Sequence, residues 1–436
     1  MKILVVGNRV PWPLHDGGAI ATYGMLRSLA ENGAEVDFFS FNTKKHFAEN
    51  AIIEKYFGFC KVHLVSLDAG VKPLNALWNL LFGGSYHLER YDDLEAAVEL
   101  YDLIQSSNYD CVMVEGLYSM PITLRVMKQM SVRLNNGVMD VDPRNSNETI
   151  QKEPIKWVYR SHNLEYQIWE RLAISTPQSL KKWYLALQSK RLKRAEIDAW
   201  CRMDAIVPIV ETDSLVIRTA LTEIQQINQI DSGDSDSRQP KIHVYQPGIA
   251  IERPFAFIHQ PMSLFHIGSM EWQANEQGVM WFLNKVWPLV LSAQPNAKFH
   301  LAGKGLSKRD PRFFQSGIVN HGEVSNAEDF MHEHGVMIVP IQAGSGIRIK
   351  TLEAMALGVP IVSTSIGAQG LTVMDDVEIK IADEPKEFAA AICTLLSSPA
   401  KSQEMTTQAR KYVELHHNLK RNTADLLGFL GQLKHL

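Results

Sequence analysis

A small-residue loop in the segment 340–364, PIQAGSGIRIKTLEAMALGVPIVST, is the strongest indication of chemistry in the sequence. Gly344, Ser345 and Gly346 stand between a predicted strand and a predicted helix. Such a loop offers an anion backbone N–H groups and the positive end of the helix dipole. The pattern predicts an anion site, although glycine-rich turns between strands and helices also occur without a ligand. It is not a G-x-x-x-x-G-K-[ST] phosphate loop.

Charged residues follow this loop at helical spacing. Arg348 and Lys350 place two cations in the predicted first turn, where the helix dipole disfavours them, and a bound diphosphate would compensate. Glu353 lies one turn beyond Lys350 and could accept hydrogen bonds from a vicinal diol such as a ribose. The alternative is an ordinary capped helix that carries a Lys350–Glu353 surface pair.

A second glycine loop, Asp16-Gly17-Gly18, precedes the first predicted helix. An anion or a sugar could approach the backbone there, or the glycine pair could serve only a turn. No G-x-G-x-x-G motif follows the first strand, and the second strand, 35–41, ends without the acid expected for an adenosine ribose. We therefore do not expect an NAD-dependent enzyme.

His162 lies in the segment 157–170, WVYRSHNLEYQIWE, just beyond a predicted central strand. Asn163 is the predicted N-cap of the next helix, with Glu165 in its first turn. His162 is therefore expected at the carboxyl end of the strand, where ligands of α/β sheets bind. A structural histidine with satisfied hydrogen bonds is the alternative.

No metal site is predicted. The triplets Asp140–Asp142 and Asp234–Asp236 have the ligands for a divalent cation, but their polar contexts favour a turn and solvated surface. The histidines of His332–His334 and of His416–His417 lack usable metal spacing, and the four cysteines form no C-x-x-C pair.

Composition limits the class of protein. The chain has 436 residues, 45% hydrophobic and 21% charged, which is typical of a soluble globular protein. A net charge of −4 gives no basic surplus, so nucleic acid is not an expected partner. No apolar run is long enough to span a membrane, and the first strand is too short for a signal-peptide core. We therefore expect a cytoplasmic protein.

Strand and helix patterns alternate through both halves of the chain, which indicates an α/β fold with two doubly wound, Rossmann-like parallel sheets that face each other across a cleft. We expect an N-terminal domain over 1–250, a second domain over 251–410 and a C-terminal helix, 411–436, that returns to the first. The predicted strands are 3–6, 35–41, 62–67, 110–115, 155–160, 204–210, 241–245, 264–268, 298–303, 335–340, 359–364 and 378–382.

Two segments could contact an acceptor or a membrane. The basic, aromatic helix predicted over 179–200 has an apolar face that we expect to include Trp183 and Leu187, and the stretch 73–84 is rich in apolar residues. Attraction to anionic lipid is one interpretation, and peripheral contact with the inner face of the membrane would follow. An amphipathic helix packed on its own sheet is the alternative.

Taken together, these segments resemble the retaining, nucleotide-sugar-dependent glycosyltransferases of family 4, which have the GT-B fold. The resemblance runs in order through DGG, SHNLEYQIWERL, FHIGSMEWQANEQGVMWFLNKVWP, LAGKG, HGEV and GSGIRIKTLEAMALGVPIVSTSIGAQGL. It covers most of residues 1–40, 110–220 and 260–375. The segments are weak singly and specific in combination.

The resemblance implies roles for particular residues. Glu353 matches the second acid of the family's E-x(7)-E motif, which binds the nucleotide ribose. His162 matches the family's strand-end histidine, which contacts the donor sugar near the reacting carbon. Four residues match loops beside the diphosphate or the base: Gly17, Gly18, Gly322 and Val324.

The sequence departs from the family in two places. Ser345 stands where the first acid of E-x(7)-E is expected, and the loop GSMEWQANEQG carries none of the usual basic residues. We infer that Arg348 and Lys350 supply the missing positive charge to the leaving diphosphate.

The resemblance implies a glycosyltransferase. We expect it to act without a metal ion or cofactor, because cations and N–H groups at a helix N-terminus can stabilise the leaving diphosphate and neither acidic triplet has the context of a metal site. A nucleoside diphosphate sugar, of UDP or GDP, would be the co-substrate, and the acceptor would be a glycan or a lipid-linked saccharide. A nucleotide-sugar epimerase on the same fold, or a non-catalytic relative that binds sugar nucleotides or glycans, are the alternatives.

Overall fold

The structure is a computed structural model that describes residues 1–14, 16–72, 78–80, 83–135, 154–232, 239–251, 255, 257–344 and 346–434. The chain forms two compact units. The first comprises Met1–Val10, Met25–Gln246 and Thr423–Leu436, and the second comprises Pro11–Gly24 and Pro247–Asn422. The sequence-based boundaries had assigned all of 1–250 to the first domain, whereas Pro11–Gly24, with the glycine loop, groups with the second unit.

The first unit is built on a parallel sheet with the strand order β3-β2-β1-β4-β5-β6-β7. Its strands are β1 (Lys2–Gly7), β2 (Glu35–Thr43), β3 (Lys61–Leu67), β4 (Cys111–Glu115), β5 (Lys156–Ser161), β6 (Ala205–Pro208) and β7 (Lys241–Ile242). The central strands β1, β4 and β5 are almost wholly buried, as expected for parallel strands covered by helices on both faces.

Eight α-helices are described up to residue 232. All belong to the first unit except the start of α1, which lies in the second. They are α1 (Gly17–Glu31), α2 (Asn50–Tyr56), α3 (Tyr86–Glu89), α4 (Leu94–Ser106), α5 (Met120–Asn135), α6 (Glu165–Ser175), α7 (Leu180–Cys201) and α8 (Glu211–Ser232).

The second unit has a parallel sheet with the strand order β10-β9-β8-β11-β12-β13. Its strands are β8 (Ser263–Ile267), β9 (Lys298–Ala302), β10 (Ile318–Gly322), β11 (Val336–Val339), β12 (Ile361–Ser363) and β13 (Lys380–Ile381). The fold predicted from the sequence, two parallel sheets with surrounding helices, is confirmed.

The helices from residue 273 onward pack mainly around this second sheet. They are α9 (Gln273–Trp281), a π-helical turn (Phe282–Val286), α10 (Trp287–Ala293), α11 (Ala327–Glu333), α12 (Ile349–Leu357), α13 (Pro385–Ser397), α14 (Pro399–His416) and α15 (Leu419–Leu433). The last of these ends in the first unit, where Lys434 Nζ lies 2.5 Å from Asp110 Oδ1.

The helix predicted over 179–200 runs from Leu180 to Cys201, so it begins one residue later than expected. Thr176 is extended (φ −80°, ψ 132°) because the residue before Pro177 avoids helical geometry. Ser179 then caps α7, its Oγ accepting a hydrogen bond from the Lys182 backbone N–H. Trp183, expected on the packed face of this helix, is 58% exposed instead.

The C-terminal helix predicted over 411–436 is interrupted at His417. The backbone N–H of Ile249 donates to the His417 carbonyl (2.9 Å), and the Leu419 N–H donates to the Ile249 carbonyl (3.2 Å). The chain therefore leaves the helix to pair with Ile249, in the segment that joins the two units, and α15 begins at Leu419.

Candidate functional site

The loop before α12 has the backbone geometry that its glycines permit. Gly344 and Gly346 have φ values of 127° and 87°, in the region that favours glycine. Ser345 lies outside the described residues. Arg348 is the N-cap of α12, with an extended backbone, and its own side chain makes no capping hydrogen bond. The prediction that Arg348 lies within the first turn is therefore wrong by one position, because the helix begins at Ile349.

The Arg348 side chain reaches the loop that follows β8. Its guanidinium carbon lies 4.8 Å from the ring centroid of Trp272, the N-cap residue of α9. A Cβ atom on Gly344 would lie 3.0 Å from Arg348 Nη2, so the missing side chain gives the guanidinium its room. Burial lowers the pKa of Arg348 to about 10, which leaves it charged at neutral pH. Arg348 thus brings a cation to the loop that has none in its own sequence.

Lys350 and Glu353 form the ion pair that the alternative interpretation predicts. Lys350 Nζ lies 2.8 Å from Glu353 Oε2, and their side chains are 30% and 15% exposed. Burial raises the pKa of Glu353, and Lys350 opposes part of that rise. A carboxylate has two oxygens with about four lone-pair positions, so Lys350 and a diol can share Glu353.

The N-terminal glycine loop lies beside the start of α12 within the second unit. A Cβ atom on Gly17 would be 3.3 Å from Ile349 Cγ1. Asp16 caps α1, its Oδ1 accepting a hydrogen bond from the Ala19 backbone N–H at 2.9 Å. Gly17 and Gly18 are both exposed. The structure therefore brings together two glycine loops that are distant in sequence.

Gly322 ends β10 with a φ of 70°, a second place where glycine is favoured. Its N–H donates to Asn320 Oδ1 (3.0 Å), and its carbonyl accepts from the Gly303 N–H (2.9 Å). Val324 is half-buried against the apolar core of this unit. Because β10 and β11 point the same way, this loop and the one before α12 lie at the same edge of the sheet.

His162 belongs to a charged cluster in the first unit. Arg160 Nη1 lies 2.9 Å from each carboxylate oxygen of Glu115, and His162 Nε2 contacts Glu115 Oε2. Arg160 and Glu115 are buried, with side chains 0% and 3% exposed, whereas His162 is 23% exposed. Burial alone would raise the pKa of Glu115, but Arg160 and His162 hold it at about 2.

The contact with Glu115 orients the imidazole of His162. A carboxylate only accepts hydrogen bonds when ionised, so Nε2 carries the proton and Nδ1 is the acceptor in the neutral ring. Gly116 beside it has a φ of 74°, and a Cβ atom there would lie 3.8 Å from His162 Cδ2.

The helix after His162 is capped by a residue from another helix. The prediction that Asn163 is the N-cap is wrong. Leu164 is the N-cap residue, and its side chain makes no capping hydrogen bond. Instead, the backbone N–H groups of Glu165 and Tyr166 donate to the two carboxylate oxygens of Glu196, each at 3.2 Å. Burial raises the pKa of Glu196 to about 8.

Sequence reasoning missed Glu115, Arg160 and Trp272. Glu115 and Arg160 are ionisable residues at the ends of two buried apolar strands, and this was the available signal. Their pairing depends on the register that sets Glu115 opposite Arg160. Nothing in the sequence linked Trp272 to Arg348.

Other predicted segments lie partly or wholly outside the described residues. Both acidic triplets, Asp140–Asp142 and Asp234–Asp236, do so, as does most of 73–84. In the part of the chain that is described, none of the helices has the length and apolar character needed to cross a bilayer.

Residues 261–398, most of the second unit, match the family described as glycosyl transferases group 1. A Klebsiella pneumoniae relative, described as an uncharacterized 44.6 kDa protein in the cps region, is 22% identical over 96% of this chain and 97% of its own.

Solved structures share the fold over nearly the whole chain at low identity. Sucrose-phosphate synthase from Thermosynechococcus elongatus has a TM-score of 0.64 at 14% identity, covering 99% of both chains. Anabaena HepE, solved with UDP, has a TM-score of 0.63 at 12% identity, covering 99% of this chain and 100% of its own. The predicted GT-B fold is thereby confirmed, and residues 261–398 match the group 1 glycosyltransferases, as the resemblance in the sequence had implied.

Proposed function

We propose that the protein is a retaining glycosyltransferase that moves a sugar from a nucleoside diphosphate sugar, with UDP or GDP as the nucleotide, to a hydroxyl of a glycan or lipid-linked saccharide. One observation carries the proposal. The loop before α12 combines two positive-φ glycines, a helix N-terminus and the guanidinium of Arg348. HepE, solved with UDP, supports a nucleotide donor.

The role of this loop is to stabilise the leaving diphosphate. Charge develops on it as the glycosidic bond breaks, and preorganised cations and backbone N–H groups stabilise that charge. Arg348 and the first N–H groups of α12 supply them, so the reaction needs no metal ion. Gly344, Ser345 and Gly346 let the diphosphate approach the backbone. Lys350 adds a cation.

The remaining residues hold the other parts of the donor. Glu353 accepts hydrogen bonds from the ribose, and Lys350 offsets part of the rise that burial causes in the pKa of Glu353. His162, oriented by Glu115, accepts a hydrogen bond from a sugar hydroxyl at Nδ1. Four residues complete the binding loops, as the family resemblance implies: Gly17, Gly18, Gly322 and Val324.

The start of α7 is suited to a membrane that carries a lipid-linked acceptor. Leu180 is 88% exposed and Trp183 is 58% exposed, next to Lys181 and Lys182. Apolar side chains beside lysines are typical of surfaces that bind anionic lipid. Sedimentation with vesicles of anionic phospholipid tests this: binding should fall in Leu180→Ser and Trp183→Ser.

The function itself is tested by a screen of nucleotide sugars. We expect a UDP- or GDP-sugar to raise the melting temperature, and a slow hydrolysis of that donor to release the sugar with its anomeric configuration retained, as seen by NMR. An isomeric nucleotide sugar would indicate an epimerase, and binding without turnover a non-catalytic relative. Turnover should survive EDTA; loss that manganese restores would contradict the metal-free mechanism.

A further inference from the structure

Three histidines come together in the second unit. His300 lies in β9, His321 lies in β10, and His334 is the C-cap residue that follows α11. One ring nitrogen from each can be chosen so that all three lie within 4.8 Å of one another. These residues are far apart in sequence, which explains why the sequence analysis predicted no metal site.

The cluster is packed as a unit. His300 Nδ1 lies 3.0 Å from His321 Nε2, and the ring of His334 meets that of His300 edge to face with centroids 4.0 Å apart. The ring of Phe330 packs against that of His334, with centroids 4.4 Å apart. The three imidazoles therefore converge under an aromatic cover.

The buried ring nitrogens of His334 are the strongest indication of a bound ligand. His334 is 8% exposed, and in the described part of the chain neither ring nitrogen has a hydrogen-bond partner of good distance and angle, although the backbone of Phe330 is close enough to raise its pKa slightly. A neutral imidazole has one N–H donor and one lone-pair acceptor, and buried polar atoms of this kind normally have a partner. A metal ion would give one nitrogen its partner.

The protonation states of the cluster suit metal binding. Burial lowers the pKa of His300 and of His334 to about 4, and neighbouring histidines add to both shifts. Burial also lowers the pKa of His321, helped by Lys308, while Glu333 opposes it. Neutral imidazole is the form that ligates metal ions.

We propose that His300, His321 and His334 bind one divalent transition-metal ion, of which Zn²⁺ is the best fit. Imidazole ligands favour zinc, nickel and copper over magnesium and calcium. Zinc binds nitrogen at about 2.0–2.1 Å, which places tetrahedral ligand atoms about 3.3 Å apart. The present spacing, from 3.0 Å to at most 4.8 Å, reaches this with small rotations of the rings. Three protein ligands leave the fourth position to water.

The ion would tie β9, β10 and the end of α11 together. His321 directly precedes Gly322, so the ion would also fix the loop that follows β10. The proposal does not depend on the proposed function, because metal binding is measured without any donor.

The test uses full-length, tag-free protein that has been stripped with chelator and dialysed against Zn²⁺. We expect about one zinc per chain by mass spectrometry, a higher melting temperature with zinc than without, and a visible Co²⁺ spectrum without thiolate charge transfer. His300→Gln and His321→Gln should weaken zinc binding by about 100-fold or more, because loss of an outer-shell partner alone costs about 10–100-fold.

His332→Gln is the matched control, since His332 lies two residues from His334 and outside the cluster. It should bind zinc as the wild type does. His321 is only partly buried, so its variant is expected to fold. The proposal is overturned if the wild type binds no stoichiometric zinc, if His300→Gln and His321→Gln bind like wild type, or if the control loses the metal equally.

Discussion

The two charged clusters at the strand ends differ in how their charges are balanced. In the first unit, Arg160 and Glu115 are buried and neutralise each other, and His162 is held by the same carboxylate. In the second unit, Arg348 lies over the indole ring of Trp272, and Lys350 pairs with the partly exposed carboxylate of Glu353. The first arrangement suits the orientation of a side chain, and the second suits the reception of an anion from outside the chain.

Glu115→Gln gives the sharpest test of the first half of this contrast. Removing one partner of a buried ion pair leaves an uncompensated charge, which typically costs about 3–5 kcal/mol. We expect a loss of this size in the free energy of unfolding, measured by urea denaturation. The matched variant Glu353→Gln, in the more exposed pair, should cost under about 1 kcal/mol.

A double variant separates charge from packing at the same site. Combining Glu115→Gln with Arg160→Met removes both charges and should restore much of the lost stability. If Glu115→Gln alone unfolds no more easily than the wild type, the pair is not the balanced cluster described above.

Arg348→Ala tests the second half of the contrast. We expect turnover at saturating donor to fall roughly 100-fold or more, equivalent to about 3 kcal/mol of lost transition-state stabilisation. Nucleotide affinity should change less, and the circular dichroism spectrum should stay the same. Arg309→Ala, at an exposed arginine of the same unit, is the control. Near-normal turnover in Arg348→Ala would mean that the diphosphate is stabilised elsewhere.

The sequence predicted the features that local patterns determine, and it missed the contacts that depend on tertiary structure. The buried strands of both sheets could be predicted because continuous apolar runs such as ILVV at 3–6 are typical of strands that are buried on both faces. β10 was not predicted, because its sequence, IVNHG, has polar residues at half-buried positions. The glycine loops were readable because positive φ restricts the residue type at Gly344 and Gly346.

Contacts between side chains that are distant in sequence could not be predicted. Glu115 meets Arg160 through strand register, and Arg348 meets Trp272 only after β8 and β11 are side by side in the sheet. Both depend on tertiary structure that local patterns do not specify. The three histidines of the proposed metal site were missed for the same reason.

Glu353→Gln is expected to weaken nucleoside diphosphate binding by about 1.5–3 kcal/mol, the usual value of a hydrogen bond to a charged group. Calorimetry with UDP and GDP measures this directly. Lys350→Met distinguishes the two roles of the pair, since it removes the cation and keeps the carboxylate. An unchanged affinity in Glu353→Gln would reduce Glu353 to the partner of Lys350.

Glu196→Gln contrasts two buried carboxylates within the first unit. Glu115 is paired with the cation of Arg160 and has a pKa of about 2, whereas burial raises the pKa of Glu196 to about 8. A carboxyl whose pKa is higher in the folded state binds more protons there, so its contribution to stability is full below its unfolded pKa and is lost as pH rises toward 8.

We therefore expect wild-type stability to fall between pH 5 and pH 8 by on the order of 2 kcal/mol more than that of Glu196→Gln. Melting temperatures of both proteins across this range measure the difference. Parallel curves for the two proteins would mean that Glu196 titrates at an ordinary pKa.

His162→Ala is the smallest change and the most specific. Its proposed contribution is one hydrogen bond between neutral groups, worth about 0.5–1.5 kcal/mol, so turnover should fall roughly tenfold while nucleotide affinity stays near wild type. The neutral amide of His162→Asn retains an acceptor and should recover part of the rate. Because the alanine removes neither Glu115 nor Arg160, the buried pair stays balanced and the melting temperature should change little. A large loss of stability with normal turnover would instead assign His162 a structural role as the cover of Glu115, and the first cluster would then serve the fold alone.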